Sequence, residues 1–383
     1  MPPFLLPPFD ALLLTFGVTV AVAWLIVRTR DAHLHLTGDH PESGPQKLHT
    51  EATPRIGGVA VMAGLLAGLG WLYLDADAAL RTQINGLSPG WLLASLVPLF
   101  ALGLLEDVCQ SVSVRLRLGL SLAAGAAASV FAGVRIEALG LPFIDTLLRA
   151  MPLLGLVLTA VAVAGLVHAM NIVDGLNGLL AGIAIGVLGA LAVVSAQFGE
   201  TALQQLALAG IAAVAGFGVF NFPRARLFCG DAGAYLIGFL CAVIVIVLVR
   251  RQPAISPWFA LAVLMHPVTE TLYSVWRRAR NGLKATEPDA RHMHSLWSAR
   301  LAEQAARAGG KSGWLAANPG GALRTAAMAS LPPLLAAGAP TNALQLQCIC
   351  LGYVALFIVT VRLLERPVAA GAAASLPSSS DSR

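Results

Sequence analysis

Charge is what this sequence has least of. Only 12% of its 383 residues are Asp, Glu, Lys or Arg, against about 25% in a soluble domain, which excludes a surface wetted by water all round. Cysteine is scarce too. The five present, at 109, 229, 241, 348 and 350, are odd in number and follow no metal-site spacing. Cys348 and Cys350 fall within an apolar run, where packing is the favoured reading over redox work. No repeat of fixed period is visible, which weakens an inverted-repeat transporter reading. The opening MPPFLLPPFDALLLTFG lacks the basic n-region and small-residue cleavage site of a signal peptide. The first apolar run is therefore expected to stay as a helix.

What is abundant is apolar residue, at 57%, with a mean hydropathy of +0.75. Runs of roughly 18 or more apolar residues recur along the chain, which points to membrane-spanning helices. A barrel of short alternating strands is excluded. The expected fold is all-α, a polytopic integral membrane helical bundle of about eleven spans. They fall at 9–27, 56–74, 91–105, 118–134, 152–170, 178–198, 205–222, 234–250, 255–275, 323–339 and 345–363. Residues 1–366 form one membrane domain with polar loops at its inner face, and 367–383 read as a low-complexity, disordered tail.

Orientation follows from the basic residues. With the N-terminus outside, roughly 20 Lys and Arg fall on the inner side and about 5 on the outer. Arg250-Arg251 and Arg135/Arg149 are the exceptions. Five polar constellations then share the inner side. In KLHTEATPRIGG (47–58), Lys47 and Arg55 offer cations and Gly57-Gly58 allow close approach; an ordinary loop-to-helix junction reads equally well. In GLLEDVCQSVSVRLRL (103–118), Glu106 and Asp107 can hold a divalent ion or take a proton, or can simply pair with Arg115 and Arg117.

NIVDGLNG (171–178) sits between two apolar runs. On a continuing helix Asn171, Asp174 and Asn177 would share a face, whereas Gly175 and Gly178 favour a turn that a ligand can approach. In RLFCGDAGAYLIGF (226–239), Asp231 reads as a helix N-cap with open backbone N–H groups, suited to an anion or a metal-bound phosphate. In EPDARHMHSLW (287–297), His292 and His294 lack the further ligands of a closed zinc site. Phosphate contact is the functional option, and solvated loop histidines the bland one. Carboxylates mixed with fixed cations at a membrane surface suit a Mg²⁺-dependent reaction on phosphates.

These motifs, in this order over residues 10–365, resemble the polyprenyl-phosphate N-acetylhexosamine-1-phosphate transferases. The resemblance implies transfer of a sugar-1-phosphate from a UDP-sugar to undecaprenyl phosphate, with release of UMP. It also implies Mg²⁺ (or Mn²⁺) as cofactor, membrane lipids as surroundings, no nucleic-acid partner, and a homodimer. By motif match Asp231 is the metal ligand and a catalytic residue with Glu106, Asp107, Asp174, His292 and His294. Lys47, Arg55, Asn171, Asn177 and Phe228 fall on the nucleotide-sugar side, Phe228 where an aromatic stacks on uracil.

The chain departs from the family's pattern at four points. Glu106 stands where an aspartate is usual, Ser295 where a third histidine often follows, and Ala234 and Glu270 where Ser and Asp are frequent. The missing third histidine and Asn177 favour the branch that starts surface polysaccharides, with UDP-GlcNAc or a related HexNAc as donor. Phospho-MurNAc-pentapeptide transfer is the alternative substrate. A degenerate carrier-binding protein and a transporter are the rivals from other classes. The expected location is the bacterial inner membrane with the site facing the cytoplasm.

Overall fold

A computed structural model describes residues 9–39, 52–282, 291–307 and 313–366. The chain forms helices α1 (Phe9–Arg28), α2 (Arg30–Thr37), α3 (Gly57–Asp75), α4 (Ala78–Asn85), α5 (Pro89–Cys109), α6 (Val114–Phe131), α7 (Pro142–Ala150) and α8 (Pro152–Val173). They continue as α9 (Leu179–Gln197), α10 (Thr201–Asn221), α11 (Gly230–Arg251), α12 (Trp258–Val263), α13 (Met265–Arg280), α14 (Met293–Arg307), α15 (Gly313–Ala337) and α16 (Ala343–Glu365). Two strands of two residues each, β1 (Gly38–Asp39) and β2 (Thr53–Pro54), pair antiparallel beside α2.

Among the described residues, nine helices are long and apolar enough to cross a membrane: α1, α3, α5, α6, α8, α9, α10, α11 and α16. The protein is an all-α, multi-pass membrane protein. The two other expected spans take a different form. The run 255–275 breaks at Leu264 into α12 and α13, and 323–339 is the C-terminal part of the proline-bearing α15. The expected tail at 367–383 lies outside the described residues.

Helix α11 is the axis of the bundle. Every residue from Gly230 to Leu248 is buried, and α11 packs against α3, α5, α8, α9 and α10. Lipid is as apolar as leucine, so helices gain little by hiding apolar side chains from it; close backbone approach has to supply the contact. Glycine supplies it here. A Cβ on Gly58 would fall on the backbone nitrogen of Gly233, and one on Gly103 would lie 2.6 Å from Ala232. One on Gly238 would lie 2.8 Å from the Cα of Val167. The first turn of α11 is thus wedged between α3 and α5.

Two threonines of α1 satisfy their hydroxyls within the helix, as hydrocarbon favours. The hydroxyls of Thr15 and Thr19 donate to the carbonyls of Ala11 and Thr15 at 2.8 and 2.9 Å. At the end of the bundle away from the polar loops, two of the four arginines that broke the charge pattern are structural. Arg250 donates to Glu137 at 2.7 Å and to the carbonyl of Gly133 at 2.8 Å, and Arg251 reaches Glu200 at 3.3 Å and the carbonyl of Gly86 at 2.7 Å. A cavity of about 430 Å³ between α3, α4, α5, α10 and α11 is lined without a charged side chain. It holds room for an alkyl chain and no reacting group.

The wedge is testable by comparing Gly103→Ala with Gly218→Ala, whose added Cβ would meet nothing within 4 Å. Gly103→Ala is expected to destabilise by about 1–3 kcal/mol, read as a lower melting temperature in detergent. Gly218→Ala should be neutral or stabilising, since alanine is the better helix former. Equal behaviour of the two would mean that the close approach is not what holds α11.

Candidate active site

The end of the bundle where α5 and α8 stop and α11 starts gathers the charged residues into one recess. Asp107, in the last turn of α5, is wholly buried, with both carboxylate oxygens engaged. They accept from the backbone N–H groups of Asp231 at 2.7 Å and Ala232 at 3.1 Å. The N–H groups at the start of α11 are therefore not open to an anion, as the sequence suggested; a carboxylate of the protein already fills that place. Asp231 is not the N-cap either. It lies in the first turn, after Cys229 at the cap and Gly230 at φ +74, and Gly230 presses against the Arg55 carbonyl and the Asp107 carboxylate.

With its backbone held by Asp107, Asp231 turns its side chain to two guanidinium groups. Arg117 Nη1 donates to Oδ2 at 3.1 Å, and Arg55 Nη2 stands 3.6 Å from Oδ1. Tyr235, one helical turn on, also donates its hydroxyl to Oδ2 at 3.1 Å. Arg55 reaches Asp107 at 3.8 Å and Asp39 at 4.0 Å as well. It is placed by β2 and by its own N–H, which donates to the carbonyl of Thr37 at 2.9 Å. The TPRIGG segment is further tied to the chain before α11: Phe228 N–H donates to the Pro54 carbonyl, and Gly57 N–H to the Phe228 carbonyl. Phe228 itself is half-buried.

Glu106 faces the recess with a second duty. Its Oε2 accepts from the N–H of Val112 at 2.8 Å while Oε1 stands 3.5 Å from Arg117. The extra methylene relative to aspartate is what lets one carboxylate bridge the α5–α6 turn and the arginine. Behind Asp231 the site continues inward. His168 Nε2 lies 2.9 Å from Ser121 Oγ, and its ring meets Tyr235 edge-on at 5.6 Å.

NIVDGLNG forms a turn, since α8 stops at Val173 and α9 starts at Leu179. The continuing helix that would align Asn171, Asp174 and Asn177 does not occur. Gly178, at φ +81, permits the reversal. Asn177 is used to hold it, donating its side-chain amide to the Pro223 carbonyl at 2.9 Å and its N–H to Asn318 Oδ1 at 2.9 Å. Asn171 stays at the end of α8, half-buried, its carbonyl accepting from Asp174 at 3.3 Å.

Asp174 remains partly open and close to Asp231. Burial, and after it the charge of Asp231, push its carboxyl up to about 7, with Arg55 pulling it down.

The histidines form a neighbouring cluster. His292 Nδ1 is 2.9 Å from Glu270 Oε1, and the rings of His292 and His294 are parallel with centroids 5.4 Å apart. His294 is 3% exposed, which overturns the reading of solvated loop histidines. It lies directly on Gly175, where a Cβ would collide with its Nε2. Lys47 lies outside the described residues. Sequence reasoning passed over Tyr235 and gave Arg117 only the bland role of a surface pair. The spacing of four from Asp231 could have found Tyr235. The local pair of Glu106 with Arg117 was open to sequence reading and occurs, whereas the contact of Arg117 with Asp231, 114 residues away, leaves no local mark.

Five carboxyl groups, those of Asp39, Glu106, Asp107, Asp174 and Asp231, and two guanidinium groups meet in this recess among the described residues. The acids outnumber the fixed cations, and after burial the charge of Asp231 helps to hold the Asp174 carboxyl up. Such a set fits a hard divalent cation, which takes one or two carboxylates and leaves its other positions to phosphate oxygens and water. Among the described residues no group of three or more His, Cys, Asp or Glu is arranged to hold a metal ion, so a cation here would need phosphate oxygens and water as its further ligands.

The raised carboxyl gives a stability test. Unfolded, Asp174 would titrate near 3.8; held higher in the fold, it costs stability as it ionises, so the cost is absent at low pH and complete above its folded value. In EDTA, Asp174→Asn is expected to be more stable than the parent at pH 8, on the order of 2 kcal/mol, and equal to it near pH 4. A melting temperature at pH 8 no higher than that of the parent would contradict a carboxyl held up by burial and by Asp231.

The family described as Glycosyl transferase family 4 matches residues 90–249. The chain is 30% identical to an undecaprenyl-phosphate alpha-N-acetylglucosaminyl 1-phosphate transferase of Yersinia pestis, over 66% of this chain and 67% of that protein. It is 31% identical to the protein of that name from Escherichia coli K12, over 66% of each chain. It is 27% identical to a probable undecaprenyl-phosphate N-acetylglucosaminyl 1-phosphate transferase of Bacillus subtilis, over 67% and 68%. The match spans about two thirds of the length of these relatives.

Proposed function

Because the chain belongs to glycosyl transferase family 4, we propose that it transfers an N-acetylhexosamine-1-phosphate from a UDP-sugar, GlcNAc or a relative, to undecaprenyl phosphate. The products are UMP and a lipid-linked diphosphate sugar, the first intermediate of a cell-surface glycan. The observation that carries this reading is Asp231 held between Arg55 and Arg117 beside the glycine-rich turn at Asp174. Phosphoryl transfer asks for such an arrangement: fixed cations for the non-bridging oxygens, and carboxylates to hold a metal.

An oxygen of the lipid phosphate attacks the β-phosphorus of the UDP-sugar, and the bond from that phosphorus to the bridging oxygen of UMP breaks. A phosphate monoester's second pKa is about 6, so the attacking group is largely dianionic near neutrality. Position therefore matters more than a strong base. Arg55 and Arg117 orient the phosphates, and Phe228 and the 171–178 turn receive the nucleotide. Mg²⁺, held by Asp231 with Asp174 close by, would withdraw charge from the diphosphate and help UMP depart.

The deeply buried Asp107 acts through α11, keeping Asp231 in place. The excess of Lys and Arg at this end of the bundle supports a site facing the cytoplasm from the bacterial inner membrane.

The test uses purified protein, undecaprenyl phosphate and a panel of UDP-sugars, with UMP release and solvent-extractable sugar as readouts. Product from one donor is expected with Mg²⁺ and not with EDTA. Asp231→Asn should lower the rate by at least about 10²-fold. No turnover with any donor, from folded protein that binds the lipid, would favour the degenerate carrier-binding reading instead. Arg117→Gln serves as a second probe, with an expected loss of about 10²-fold measured in the same assay.

A further inference from the structure

The sequence motif gives the two histidines of HMH, His292 and His294, equal roles. The structure separates them. Glu270, in α13, is wholly buried. Its Oε1 meets His292 Nδ1 at 2.9 Å, and its two oxygens lie 3.4 and 3.3 Å from the N–H of Met293 at the start of α14. One carboxylate thus fixes a ring and the helix end that carries it. His294, one residue further, has a buried Nδ1 without a hydrogen-bond partner, and its Nε2 side lies against Gly175. Burial first, opposed by Glu270, pushes its imidazole down to about 3, so it is neutral at any working pH. A neutral ring packed under the 171–178 turn has no charge to offer a phosphate.

We propose that Glu270 is a positioning residue that forms a carboxylate–imidazole dyad with His292, and that His294 is the packing residue between this dyad and the NIVDGLNG turn. The proposal rests on the transferase reading for the identity of its ligand, the phosphates of donor and acceptor. With Nδ1–H donated to Glu270, Nε2 is the nitrogen of His292 left for a substrate. Where the lipid phosphate arrives with its second proton, Nε2 accepts it: the O–H bond breaks, the Nε2–H bond forms, and the imidazolium produced lies against the Glu270 carboxylate. The same Nε2–H then donates to a phosphate oxygen. A carboxylate orienting a histidine through Nδ1 is a general device for fixing tautomer and direction.

The test has a spectroscopic arm and a kinetic arm. In ¹⁵N-histidine-labelled protein at pH 8.5, with His292 assigned through His292→Ala, the parent should show a protonated Nδ1 and a bare Nε2. In Glu270→Ala the proton should move to Nε2. In turnover, Glu270→Ala and Glu270→Gln should each lower kcat/KM, by about 10²-fold for alanine. On a His292→Ala background neither should cause further loss. Glu270→Gln keeps the shape of the side chain, so it decides the kinetic arm should the alanine variant not fold.

An unchanged His292 tautomer without Glu270, or losses that multiply with His292→Ala, would overturn the dyad and leave Glu270 a structural group. Parent protein without turnover would instead count against the transferase reading. The tautomer measurement would still stand, since it needs no substrate.

Discussion

The carboxylate of Asp107 on the first turn of α11 is the contact on which the rest of the site depends. A helix begins with N–H groups that have no partner inside the helix, and in a membrane protein such groups cannot be left to lipid. Asp107 satisfies two of them with its two side-chain oxygens. Burying a carboxylate is costly unless hydrogen bonds and an opposite charge accompany it; here two backbone donors and Arg55 do so. The result joins the end of α5 to the start of the most buried helix. That junction decides where Asp231 points.

Around this junction the glycines and the charges act together. Gly58 and Gly103 let α3 and α5 close on α11, and that approach brings Arg55 within reach of Asp231. Arg117 arrives from α6, whose start is fixed by the turn that Glu106 bridges. The glutamate that departs from the family's usual aspartate thus has a visible use, because its longer side chain reaches Val112 and Arg117 at once. It belongs to the scaffold of the site as much as to its chemistry.

A second layer rests on the turn between α8 and α9. Two glycines make it possible, Gly178 by its positive φ and Gly175 by leaving room for His294. Asn177 and Asn318 tie it from behind. The turn places Asp174 near Asp231 on one side and receives the histidine cluster on the other. Acids and histidines from helices far apart in the chain therefore border one recess. Glu270 keeps the histidine side in register from within α13.

Much of this protein is legible in the sequence. Long apolar runs dictate helices in a membrane because the backbone must satisfy itself there. The order of TPRIGG, LLED, NIVDGLNG, FCGDAG and HMH marks the residues that meet at one end of the bundle. Glycine beside aspartate announces a turn rather than a continuing helix, and the structure has the turn. Pairing was not legible. That Asp107 would occupy the N–H groups expected to be free, that Arg117 would select Asp231 and that Glu270 would select His292 depend on contacts across 22 to 124 residues of chain. Local spacing carries no record of such contacts. They exist because the packing of glycine-lined helices brings these groups to hydrogen-bonding distance, and a buried charge must then find a partner.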